Sequence, residues 1–100
     1  MTPEAKFKKK FKEDFAKRME KHDQEYDVIE NKSGRRSTPD TIFLGNRVWA
    51  ALEFKRDVEA EKQPNQEHYV DKWNRLSYAA IVYPENAEEI LDDLERLFVT

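Results

Sequence analysis

Pro39-Asp40, twelve intervening residues, then Glu53-Phe54-Lys55 place two carboxylates and an amine at the edge and inside of apolar strand-like segments. Charged side chains are almost never fully buried without a partner. Three that converge point to a site that holds a metal ion and works on phosphate. The chain has no cysteine, and its two histidines, His22 and His68, are not spaced as ligands. The donors are therefore oxygens, which suit a hard cation, Mg²⁺ or Mn²⁺. Such an ion activates water, orients a phosphodiester and stabilises the leaving oxygen. Lys55 beside it would steady the attacking water or the developing phosphate charge.

The elements that must position these residues can be read from periodicity. Thr2 and Pro3 open a helix, and Phe7, Phe11, Phe15 and Met19 recur at four-residue spacing, so an amphipathic helix is expected over roughly 3–21. Glu25–Glu30 reads as a short strand and 31–38 as a basic loop. Thr41–Leu44 and Val48–Lys55 read as two strands joined by a two-residue Gly45-Asn46 turn. A polar break follows at 62–65, with Pro64 suited to open a helix whose stripe is Tyr69, Val70, Trp73 and Leu76. Tyr78–Tyr83 is a buried strand ended by Pro84. Asn86 with Glu89 resembles a capping box for a last helix, whose apolar face is Ile90, Leu91, Leu94, Leu97 and Phe98. The expected fold class is α/β, a mixed sheet flanked by helices in the order α-β-β-β-α-β-α.

Centring the hairpin on Gly45-Asn46 pairs Leu44 with Arg47, Phe43 with Val48 and Asp40 with Ala51. Opposed residues share a face, and period two adds Glu53 and Lys55 to the face of Ala51. Asp40 and Glu53 are then diagonal neighbours, with Cβ atoms roughly 7 Å apart or less. Gln66 lies one helical repeat before Tyr69, Val70 and Trp73, on the inward face of its helix, where an amide needs partners. The alternative is an ordinary solvated strand face for Glu53 and Lys55, with Asp40 merely starting a strand.

One hundred residues suit a single domain over 1–100. Charged residues make up 39% and apolar ones 38%, and the twelve aromatics argue against a disordered chain. No apolar run reaches membrane-spanning length, and Met1–Lys12 reads as a lysine-rich helix rather than a signal peptide, so a cytoplasmic protein is expected. Residues 1–56 hold 14 Lys/Arg against 10 Asp/Glu, whereas 57–100 hold 4 against 11. An acidic polymer would meet the first half. Arg35 and Arg36, just upstream of Asp40, are candidates for phosphate contact. The Lys6–Lys12 run, with Lys6, Lys9 and Lys10, is either a grip on the DNA backbone or a solvated helix face.

Pro39-Asp40…Glu53-Phe54-Lys55 on consecutive strands resembles the PD-(D/E)XK nuclease signature. More narrowly, Ser33-Gly34-Arg35-Arg36-Ser37-Thr38-Pro39-Asp40-Thr41-Ile42-Phe43-Leu44, a hairpin glycine, Leu52-Glu53-Phe54-Lys55-Arg56 and Gln66 opening a helix are similar to the virus-type replication-repair nuclease (VRR-NUC) domain. The chain departs from that pattern at Ser37, Ser77 and Arg56-Asp57, all in loops. The resemblance implies a restriction-endonuclease-like core and a Mg²⁺- or Mn²⁺-dependent DNA endonuclease. In it Asp40, Glu53 and the Phe54 carbonyl hold the ion, Lys55 is catalytic and Gln66 supports the site. A further ligand is expected from the first helix, Glu4 by its distance from the helix start, or Glu13. Small stand-alone members, phage-encoded or bacterial, imply selectivity for Holliday junctions or other branched DNA in replication, recombination or repair. For so short a chain a homodimer with two active sites is expected. The rival expectations are a non-catalytic DNA-binding or assembly module on the same fold, and a nuclease without branch preference.

Overall fold

The structure is a computed structural model that describes residues 1–30, 39–59 and 66–99. The first helix, α1, spans Pro3–Lys21. Thr2 Oγ1 accepts the Ala5 N–H at 3.1 Å, and Pro3 sits in the first turn, where its missing N–H has no intrahelical partner to lose. Strands β1 (Asp27–Glu30), β2 (Thr41–Leu44) and β3 (Trp49–Phe54) follow, then α2 (Gln66–Leu76), β4 (Tyr78–Val82), a single 3₁₀ turn at Pro84–Asn86 and α3 (Ala87–Phe98). The sheet order is β1-β2-β3-β4, with the first two pairings antiparallel and β3–β4 parallel. The expected element order and mixed sheet are both present.

Alternation along the strands divides the sheet into two faces. Phe43, Ala50, Leu52, Phe54 and Val82 join Phe11, Phe15, Met19, Leu91, Leu94 and Phe98 in one buried core. Phenylalanines carry much of it. Phe11 meets Phe54 edge-on at 5.1 Å, and Phe15 meets Phe43 at 4.9 Å and Phe98 at 5.4 Å. The opposite face, with Ala51, Glu53 and Trp49, is covered by α2, where Trp49 meets Trp73 edge-on at 6.2 Å. The far half of α1 is clamped to α3 by Arg18, which pairs with Glu88, Asp92 and Glu95, and by His22 against Glu95 at 2.7 Å. Three carboxylates of the acidic second half, Glu88, Asp92 and Glu95, therefore neutralise the far end of the first helix.

The hairpin turn differs from the expected one. Leu44 pairs with Trp49 and Thr41 with Leu52, so the loop is Gly45–Val48, closed by Gly45 N–H donating to the Val48 carbonyl at 2.9 Å. The expected pairing is thus displaced by two residues. The left-handed φ falls on Arg47, at 65°, and not on Gly45. Gly45 is required for space instead: a Cβ there would lie 2.7 Å from Phe98 Cδ2 and 2.9 Å from Cε2. A Gly-first pair reads as a tight turn because glycine tolerates positive φ, but here glycine admits a core ring.

Asn86 also differs from expectation. It makes no side-chain cap on α3. Its Oδ1 accepts the Tyr83 N–H at 2.8 Å and its Nδ2 donates to the Ile81 carbonyl at 3.1 Å, while Asn74 Oδ1 accepts the Ala79 N–H at 3.0 Å. Two asparagines thereby bond three main-chain groups along β4, which has no neighbouring strand on its outer side among the described residues. Ser77, where the resemblance calls for glycine, hydrogen-bonds both Trp49 main-chain groups, its Oγ donating to the carbonyl at 2.5 Å and accepting the N–H at 3.3 Å. The hydroxyl extends the β3–β4 ladder by one step.

Gly45→Ala should therefore destabilise the protein by about 1–3 kcal/mol through overpacking against Phe98. Asn46→Ala, at an exposed position of the same turn, should change stability by less than about 0.5 kcal/mol. Urea unfolding of both variants measures the difference.

Candidate active site

The central hairpin opens beside the N-terminal half of α1, and the charged residues gather there. Displacement by two residues leaves the faces unchanged, so Glu53 still points toward α2 with Ala51. The partner of Asp40 changes. Ala51 pairs with Ile42, and the register carried one step past Thr41–Leu52 sets Asp40 opposite Glu53 instead of diagonal to it.

Glu53 is 8% exposed, Lys55 7% and Gln66 3%. All three lie inside, which removes the solvated strand face as an account of Glu53 and Lys55. Lys55 Nζ stands 3.8 Å from Glu53 Oε2. Burial pushes the Glu53 carboxyl up to about 7; the charge of Asp40 pushes the same way, Lys55 opposes it, and Glu4 adds a smaller upward push. That places Glu4 within electrostatic reach of Glu53, whereas Glu13 is exposed. A shallow groove lined by Thr2, Glu4, Lys8, Lys9 and Lys12 opens along α1 at this end.

Four further residues complete the cluster: Glu30 and Thr41, not singled out from the sequence, and Lys8 and Lys12 from within the Lys6–Lys12 run. Lys8 Nζ lies 3.2 Å from Glu30 Oε2 and 3.5 Å from Asp40 Oδ2. Lys12 Nζ lies 3.0 Å from the other Glu30 oxygen. Thr41 Oγ1 is 3.2 Å from Glu30 Oε2 and 2.9 Å from Asp40 Oδ1. The signal for Lys8 was its i+4 spacing from Glu4. Glu30 becomes visible only through the β1–β2 register, which opposes it to Thr41.

Of the lysines expected to meet DNA, Lys6 and Lys9 are exposed, and Lys10 pairs with Asp14 at 2.7 Å. Arg35 and Arg36 lie outside the described residues. His68 is exposed, and His22 is engaged by Glu95. A separate cleft lies at the closed end of the hairpin, lined by Asp23–Asp27 and Leu44–Arg47, and contains none of the candidate residues.

Among the described residues no three His, Asp or Glu side chains are grouped closely enough to hold an ion by themselves. The candidate donors are two hard carboxylates, Asp40 and Glu53, and the charge of Asp40 acts against that of Glu53. A divalent cation relieves that repulsion, so the residues fit such an ion.

No family model matches the chain, and comparison with curated proteins gives no significant match. Among solved structures, a protein titled "VRR_NUC domain" superposes with a TM-score of 0.67 at 19% identity, covering 92% of this chain and 97% of that one. The chain has the fold of a VRR_NUC domain.

The carboxyl of Glu53 has a consequence for pH. Its folded value, about 7, exceeds the ordinary 4.5. Its contribution is therefore fully present below about 4.5 and is lost as pH rises toward 7. Glu53→Gln should melt several degrees above the wild-type protein at pH 8 without divalent cation, with the gain vanishing at pH 4. Thermal melts at both pH values measure it.

Proposed function

We propose that this chain is a divalent-cation-dependent DNA endonuclease that hydrolyses phosphodiester bonds and prefers branched substrates such as four-way junctions. The observation that carries the reading is a carboxylate and an ammonium, Glu53 and Lys55, held inside the sheet 3.8 Å apart with Asp40 acting on the same carboxylate. An apolar strand has no structural need for that pair, and replacing such a pair with apolar residues is often neutral or stabilising. The VRR_NUC fold supports the assignment to nucleic acid.

In this reading Asp40, Glu53 and the Phe54 carbonyl hold Mg²⁺ or Mn²⁺, with Glu4 the further carboxylate on α1. When bound, the ion supplies Lewis-acid polarisation of the scissile phosphodiester and lowers the pKa of water. Lys55 donates hydrogen bonds to the attacking water or to a non-bridging phosphate oxygen, in a site where water no longer screens its charge. Gln66, buried at the start of α2, offers one donor pair and one acceptor that hold water or substrate in line. Lys6 and Lys9, with Arg35 and Arg36 next to Asp40 in sequence, contact the DNA backbone. Two copies related by a two-fold axis present two such sites, which suits symmetric nicking of a junction.

Labelled four-way junction, flap and linear duplex incubated with Mg²⁺ or Mn²⁺ should be cleaved, the junction fastest. Lys55→Ala and Asp40→Asn should lower the rate by about 10²-fold or more while leaving the fold intact by circular dichroism. Cleavage of all three at one rate favours a nuclease without branch preference, and binding without cleavage favours a non-catalytic module. Light scattering should give a dimer at micromolar concentration; an active monomer removes that part.

A further inference from the structure

Lys8 is set apart from the other lysines of α1 by what it touches. Its ammonium bridges two carboxylates from different segments, Glu30 of β1 at 3.2 Å and Asp40 just ahead of β2 at 3.5 Å. Its side chain is 21% exposed, and the ammonium lies 5.8 Å from the centroid of Phe54, the residue between Glu53 and Lys55. The bridge is buttressed by Lys12 on the second Glu30 oxygen and by the Thr41 hydroxyl between Glu30 and Asp40. A hydroxyl has one proton, so Thr41 donates to one of these carboxylates at a time. The second Asp40 oxygen, Oδ2, is the one that faces Lys8.

We infer that Lys8 is a tethered counter-ion of the site: it occupies Asp40 when no divalent cation is present and competes with that cation for the same carboxylate. The inference rests on the divalent-site reading above. Glu30 is the second anchor that keeps the released ammonium beside the site, where it is placed to meet a substrate phosphate. Lys8 is a positioning residue in this scheme, because its effect runs through Asp40.

Calorimetric titration of the metal-free protein with Mn²⁺ tests the competition without reference to cleavage. Lys8→Met keeps the aliphatic stem over Phe54 and removes the charge. It should bind Mn²⁺ about 3–10-fold more tightly than wild type, while its metal-free form melts at a lower temperature. Lys17→Met, which removes one exposed charge from the same helix, should stay within about twofold of wild type. Glu30→Gln removes the second anchor, leaves Lys8 to Asp40 alone, and should weaken Mn²⁺ binding. Equal affinities for Lys8→Met and Lys17→Met overturn the inference for Lys8 alone. Weaker binding by Lys8→Met overturns it in favour of a lysine that only aims Asp40. Absence of any Mn²⁺ binding that Asp40→Asn removes overturns both the inference and the divalent-site reading.

Discussion

The pairing of Leu44 with Trp49 is the constraint on which the rest of the molecule depends. Side chains alternate with a period of two, so this register decides which residues enter the phenylalanine core and which enter the site. It sends Phe43, Leu52 and Phe54 toward α1 and α3, and Ala51 and Glu53 toward α2. A slip of one residue would bring Phe54 to the face of the site and leave two charges in the core. The register is held at the turn by Gly45, whose lack of a Cβ lets the Phe98 ring close over it, and by the hydrogen bond from Gly45 to Val48. The turn that sets the site is thus fixed from the C-terminal end of the last helix.

The first helix does two things along its length. Its C-terminal half ties down α3 through Arg18 and His22, and its N-terminal half brings Glu4, Lys8 and Lys12 over the open end of the hairpin. Phe7, Phe11 and Phe15 run along both halves and set the height of the helix above the sheet through edge contacts with Phe54 and Phe43. Charges on opposite ends of one helix are therefore placed by a shared apolar stripe. Lys8, Lys12, Arg18 and Lys55 are engaged by carboxylates within the protein, and Lys6 and Lys9 are among the cations left facing solvent.

Burying Glu53 is unfavourable, and the surroundings explain why it is tolerated. Lys55 opposes its charge at 3.8 Å, and Lys8 offsets the neighbouring Asp40. What remains uncompensated raises the Glu53 carboxyl to about 7. Perturbed carboxyls of this kind concentrate where function demands them, because a fold selected only for stability would place an apolar residue there.

Periodicity and composition by themselves determined the elements: the phenylalanine spacing of α1, the apolar run of β4, the inward Glu53 and Gln66, and the order that yields a mixed sheet. These follow from local rules, since helices and strands repeat at 3.6 and 2 residues. The length of the hairpin loop, the true role of Gly45 and the work of Asn86 on the edge of β4 were decided only by tertiary structure. Gly45 is decided by Phe98, distant in the chain, and Asn86 by the outer edge of β4, whose Ile81 and Tyr83 groups it bonds only because of where that strand lies in the sheet. Lys8 and Glu30 belong to the same class. They lie 22 residues apart in the chain, and nothing in either segment announces that a helix and a strand end will meet over Asp40. Charge and spacing name the residues capable of chemistry, and only the register and the helix height decide which of them face one another.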